Sequence, residues 1–129
     1  MKAGKIINWI LIALVVVLGI QNLQAADGVE VKQAQAMSRE GALLLDVREP
    51  DEFSAVHVQE AKLIPLGQLS GRLGELSEFK SKPIVVMCRS GRRSAKAVEM
   101  LREAGFTQVS NIKGGINTWE GEGLPVVKM

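Results

Sequence analysis

Two stretches of this chain are apolar without alternation. Ala42, Leu43, Leu44 and Leu45 lead into Asp46 and Val47, and Ile84, Val85, Val86 and Met87 form the second run. A strand with one wet face alternates apolar and polar side chains, so a continuous run is expected where both faces are covered. Helical patterns separate these runs over roughly 100 residues, which implies an α/β fold with a central parallel sheet flanked by helices on both faces.

The remaining elements follow from local patterns. Residues 29–31 read as a short edge strand, and 32–40 as a helix stopped by Gly41. Residues 51–56 read as a short helix preceded by Pro50; 63–66 read as a short strand that Pro65 confines to an edge or terminus. Leu66, Leu69, Leu73 and Leu76 stand at helical spacing within 66–79, a pattern weakened by Gly71 and Gly74. Ala97, Val98, Leu101 and Ala104 share one face of a helix that Gly105 ends, with Phe106 placed to pack back on its last turn. Residues 109–112 are a third strand candidate, and Gly114-Gly115 opens a segment holding Trp119 and Gly123-Leu124-Pro125.

The front of the chain follows a different pattern. Lys2 and Lys5 precede an almost wholly apolar stretch, residues 6–20, and then a polar segment with small residues at Ala25 and Ala26. That is the order of an export signal. At about 15 residues the stretch is shorter than the roughly 20 a spanning helix needs. Residues 1–25 are therefore expected to be a cleaved signal peptide, with an uncleaved membrane anchor as the alternative that the imperfect Leu23-x-Ala25 site leaves open. Either arrangement puts a domain at 26–129 in a bacterial periplasm, exported freely or held at the inner membrane, with membrane association only through residues 6–20. The chain has 16 basic and 14 acidic residues. Because Lys2 and Lys5 lie in the signal and no acid does, the rest carries 14 of each sign. No excess of basic charge remains to argue for nucleic-acid binding.

The chain has one cysteine. Cys88 closes the second apolar run and opens the loop Arg89-Ser90-Gly91-Arg92-Arg93 before a helical pattern. Guanidinium groups, inward backbone N–H groups of a Gly-permitted loop and a helix N-terminus all favour the thiolate. Exported proteins usually pair their cysteines, so a single thiol points to intermolecular chemistry or a reactive sulfur. Such a cradle can bind a small sulfur oxyanion and let the thiolate attack its terminal sulfur, leaving a persulfide. Two other readings stand beside it: a small core hydrophobe followed by an exposed basic turn, and a redox-sensing thiol that is reversibly capped.

Four segments in order then resemble the rhodanese family of sulfurtransferases. Asp46-Val47-Arg48-Glu49 with Glu52-Phe53 looks like its first signature, and His57-Val58, Ala61 and Ile64-Pro65-Leu66 like the continuation. Cys88 to Ser94 is similar to the active-site loop, and Gly114-Gly115 with Trp119 and Gly123-Leu124-Pro125 to the C-terminal signature. The family's Gly-His-Ile stands here as Val56-His57-Val58, and its Gly-Ala as Glu60-Ala61. The resemblance implies a single rhodanese-like domain that moves sulfane sulfur through a persulfide on Cys88. Thiosulfate is the default donor and cyanide or a thiol the acceptor; Arg89, Ser90, Gly91, Arg92 and Arg93 bind the anion, and no cofactor or metal is needed. Its alternative is a non-catalytic persulfide carrier that delivers sulfur to a protein partner. Related phosphatases and arsenate reductases use a longer Cys-x5-Arg loop. Here that position is Ser94, and Arg93 comes one residue too early.

The other polar candidates read as structural. Asp46 is expected to fix loop N–H groups or Arg48, and Arg48 and Glu52 to pair across the following turn. His57, the one histidine, reads as packed and hydrogen-bonded, although a Cys–His pair is formally open. One Cys and one His cannot supply a metal site without further ligands. Trp119 is expected to pack over the core edge, and Lys62, Lys80, Lys82 and Lys113 to be solvated surface.

Overall fold

A computed structural model describes residues 28–129. The export segment expected at 1–25, with its apolar stretch 6–20, lies outside the described residues. The described chain runs α1 (Val31–Arg39), β1 (Leu43–Asp46), α2 (Pro50–Ala55), β2 (Val56–His57), β3 (Lys62–Leu63) and α3 (Leu66–Leu69). A 3₁₀ helix (Leu73–Phe79) follows, then β4 (Ile84–Met87), α4 (Arg92–Glu103), β5 (Val109–Asn111), α5 (Gly115–Gly121) and β6 (Val127–Lys128).

Four strands form a parallel sheet in the order β3-β1-β4-β5. The two unbroken apolar runs are its central strands, paired from Leu43↔Ile84 to Asp46↔Met87. Pleating sends successive side chains to opposite faces, and both faces are covered. Leu45, Ile84 and Val86 pack with Leu69, Leu76, Ala97, Val98, Leu101 and Phe106, beneath α3, the 3₁₀ helix and α4. Leu44, Val85 and Met87 pack with Val31, Ala34, Ile116 and Trp119, beneath α1 and α5. Double cover is what removes the polar alternation from β1 and β4.

Element boundaries differ from the sequence expectation in several places: the helix expected at 51–56 takes in Pro50 and yields Val56 to β2, and the strand expected at 109–112 ends at Asn111. Residues 29–31 form no strand: Val29 makes a lone parallel bridge to Ile112, and Val31, fully buried, already begins α1. The strand expected at 63–66 ends at Leu63, because Pro65 takes the position preceding α3 and its fixed φ of −55° leads into that helix. Residues 66–79 are two helices rather than one, broken across 70–72. Leu73, Leu76 and Phe79 recur every third residue, and a 3₁₀ helix with three residues per turn keeps all three on the core side. β2 and β6 make a separate antiparallel pair that ties the C-terminus to His57 through His57↔Val127.

Gly105 closes α4 at φ +96°, the left-handed conformation that glycine tolerates. Phe106 packs back as expected, 2% exposed, with its N–H bonded to Leu101 O at 3.0 Å. Trp119 is buried rather than at an edge, and its indole N–H reaches Pro125 O at 3.0 Å. Lys80 is exposed but engaged: its ammonium bonds Ala104 O at 3.0 Å, caps the end of α4 and lies over the Phe106 ring.

Candidate active site

Ligand sites in open α/β sheets form beyond the carboxyl ends of the strands. The central strands β1 and β4 end side by side at Asp46 and Met87, with Val47 N–H bonded to Met87 O at 3.0 Å. The residue after β4 is Cys88. From there the chain crosses residues 88–91 and enters α4 at Gly91, whose φ of +110° makes the reversal possible.

The loop's backbone is held from outside. Ile116 N–H donates to Cys88 O at 2.9 Å and Asn117 N–H to Arg89 O at 3.1 Å, so the first turn of α5 takes two loop carbonyls. In a trans peptide the N–H points opposite to the C=O. Anchoring Arg89 O outward therefore turns the Ser90 N–H inward, toward the sulfur. Gly115 makes this approach possible: a Cβ there would strike Cys88 O and sit 2.7 Å from Arg89 C and O. Gly91 N–H completes the cradle, donating to Cys88 Sγ at 3.1 Å.

Cys88 is 1% exposed, so the sulfur forms the floor of the loop rather than projecting from it. Burial pushes the thiol up. The Ser94 hydroxyl and the N–H groups of Ser94, Gly91 and Ser90 outweigh that and bring it below its ordinary value. Ser94 Oγ lies 3.3 Å from the sulfur and 2.5 Å from Asn111 Oδ1, and Asn111 Nδ2–H donates to Gly91 O at 3.1 Å.

The loop side chains divide into two groups. Arg89, Ser90 and Arg92 are exposed at the mouth, and Gly91 is half-buried. Arg93 turns away and forks onto the Glu52 carboxylate, with bonds of 2.7 and 2.9 Å. The Arg93 guanidinium holds Glu52 down at about 2, and the carboxylate raises Arg93 in return. Glu52 also accepts from Glu49 N–H at 3.1 Å and completes a capping box at the start of α2.

The pairing expected between Arg48 and Glu52 side chains is not what forms. Arg48, 2% exposed, forks onto fully buried Asp46, Nη2 to Oδ2 at 2.7 Å and Nε to Oδ1 at 3.0 Å. Its remaining donors reach the backbone at Glu52 O (3.3 Å) and Val56 O (2.7 Å). Asp46 fills both roles open to it: besides the guanidinium, its Oδ1 accepts the backbone N–H of Arg48 at 3.0 Å. His57 is packed and hydrogen-bonded, stacked on Phe53 at 4.1 Å with Nδ1 2.8 Å from Phe53 O. Sequence reasoning passed over Asn111, and it marked Ser94 as the end of the loop without giving its hydroxyl a role. The signal for Asn111 was its place at the carboxyl end of a strand, where sites gather.

The Rhodanese-like domain profile matches residues 30–122. The uncharacterized protein YqhL of Bacillus subtilis is 42% identical over 81 residues, which are 63% of this chain and 63% of that protein's own length. A sulfurtransferase of Allochromatium vinosum is 36% identical over 88 residues, covering 68% of this chain and 80% of that protein. The crystal structure of a rhodanese-related protein from Thermoplasma volcanium superposes with a TM-score of 0.70 at 32% identity, covering 78% of this chain and 96% of that one. By its sequence and its fold, this chain belongs to the Rhodanese-like domain family.

Proposed function

We propose that the protein is a sulfurtransferase that moves sulfane sulfur from thiosulfate, or a similar small anionic donor, to cyanide or a thiol through a persulfide on Cys88. The observation that carries this reading is the sulfur's setting: Sγ at the floor of a loop, with Gly91 N–H at 3.1 Å and the Ser94 hydroxyl at 3.3 Å. These donors favour the thiolate, which attacks the donor's terminal sulfur. A bond forms from Cys88 Sγ to that sulfur, the donor's S–S bond breaks, and sulfite leaves with the electron pair. The acceptor then attacks the outer sulfur; the Cys88 S–S bond breaks and the thiolate is regenerated. No external oxidant or reductant enters, because the sulfur carries its own oxidation level across both steps.

In this reading the backbone of residues 89–93 binds the anion together with the exposed Arg89 and Arg92 side chains. Arg93 contributes its N–H and its field from a guanidinium already held by Glu52. The domain at 26–129 works after export, with residues 1–25 as a cleaved signal or an anchor facing the periplasm. Steady-state turnover with thiosulfate and cyanide tests the enzyme. Rapid turnover supports it, whereas a stable Cys88 persulfide with poor turnover identifies a carrier that hands sulfur to a protein partner.

A further inference from the structure

Ser94 has one hydroxyl hydrogen and two acceptors for it. Asn111 Oδ1 is 2.5 Å from Ser94 Oγ and Cys88 Sγ is 3.3 Å away. The amide's orientation is set by its other end: Asn111 Nδ2 faces Gly91 O at 3.1 Å, and a backbone carbonyl can only accept. Oδ1 must therefore face Ser94. Asn111 is the last residue of β5, in register with Val86 of β4, and its own carbonyl accepts Val29 N–H at 2.8 Å. It is consequently a fixed competitor and not a side chain that can swing aside.

While Cys88 carries its proton the arrangement is free of conflict. The thiol can donate to a Ser94 lone pair, Ser94 donates to Asn111, and Asn111 donates to Gly91 O. Ionising the thiol removes the first donor. The single Ser94 hydrogen must then serve either the sulfur or Asn111, and the shorter contact is to Asn111.

We infer that Asn111 is a positioning residue for Cys88: it competes for the Ser94 hydrogen, weakens the bond that hydrogen makes to the thiolate, and so keeps the sulfur more basic and more nucleophilic than an uncontested Ser94 would leave it. This deepens the proposed function, since a thiolate stabilised too far attacks slowly. The charged groups around the sulfur come from other elements. Arg93 of α4 is held by Glu52 of α2, and Asp46 of β1 is paired with Arg48. Arg89 and Arg92 are exposed in the loop and at the start of α4; the one charged residue of α5, Glu120, stands toward its other end and pairs with Lys128. β5 itself holds Val109, Ser110 and Asn111 and no charged residue. None of these ions is hydrogen-bonded to Ser94 or Asn111; the other contact of Asn111 with the loop is Gly91 O, and the Ser94→Ala background separates that route from the one through Ser94.

The chain holds one Cys and no Tyr, so the ultraviolet absorbance of a thiolate titrates Cys88 with no phenolate background. This readout requires no sulfur transfer and remains decisive even if the proposed enzyme activity fails. Asn111→Leu should move the thiol midpoint down, raising the ionised fraction at low pH about tenfold, the worth of one charge-assisted hydrogen bond. Alkylation by iodoacetamide should slow about threefold on the high-pH plateau and quicken about threefold well below the midpoint, given a Brønsted slope of about 0.4–0.5. Asn111→Leu placed on Ser94→Ala should produce neither change, because the hydrogen in dispute is gone. Should the leucine variant not fold, Asn111→Asp supplies the opposite sign: its acceptor-only carboxylate must raise the midpoint more in the Ser94 chain than in the Ser94→Ala chain. An equal shift in both backgrounds, or an upward shift with leucine, overturns the inference.

Discussion

Glu52 holds two partners at once, the Arg93 guanidinium at 2.7 and 2.9 Å and the Glu49 N–H at 3.1 Å. Its carboxyl lies at about 2 in the fold against 4.5 when free, so the fold gains stability from its ionised form. That gain is complete above about 4.5 and is lost as pH falls toward about 2. Glu52→Gln should therefore cost about 1 kcal/mol at neutral pH, as befits a partly exposed pair. The gap to wild type should close between those two pH values in urea unfolding. Asp46 and Arg48 behave differently because both are buried. Arg48→Met leaves an unpaired carboxylate in the core and should cost about 3–5 kcal/mol by the same measurement. Cys88 was legible in the sequence because a strand end and a Gly-containing basic loop are local signals. The partner of Arg48 was not. A spacing of four suggests Glu52, but α2 begins only at Pro50, so Arg48 stands at the bend between β1 and α2, outside any helix, and its guanidinium reaches back to Asp46. Arg93 and Glu52 are 41 residues apart, and only the folded sheet brings them together.

At the scale of elements, the loop depends on α5 as much as on α4. The two N–H groups at the start of α5 that take Cys88 O and Arg89 O set which way the loop's own N–H groups face. Gly115→Ala would force a Cβ into that peptide at a φ of +55°. It should destabilise the protein by about 2 kcal/mol or more and slow Cys88 alkylation at neutral pH by raising the thiol midpoint. A fully folded variant with wild-type alkylation kinetics would show that α5 does not orient the loop. The central strands could be read from their lack of alternation, since double cover acts on every residue of β1 and β4. The 3₁₀ helix could not, because Leu66, Leu69, Leu73 and Leu76 follow a 3.6-residue period, and the every-third set Leu73, Leu76 and Phe79 is too short to stand out against it. The β2–β6 pair was equally hidden: two residues per strand give no periodicity to detect.

Across the whole molecule, the sheet brings together three segments far apart in sequence at one edge of β1, β4 and β5. The first supplies Asp46, Arg48 and Glu52, the second the Cys88 loop, and the third Asn111 with the start of α5. Three of the four segments that carry the family resemblance meet here, which is why it spans the chain and not the cysteine loop alone. N-terminal sequencing of the protein recovered from a bacterial envelope should find a chain beginning near residue 26 if the signal is cleaved, and an intact start at Met1 with membrane fractionation if it serves as an anchor. Intact mass after treatment with thiosulfate reads sulfur transfer to Cys88 most directly. The wild-type domain should gain a single sulfur that cyanide removes, and Cys88→Ser should gain none. No gain in the wild type, or an equal gain in Cys88→Ser, would contradict the account.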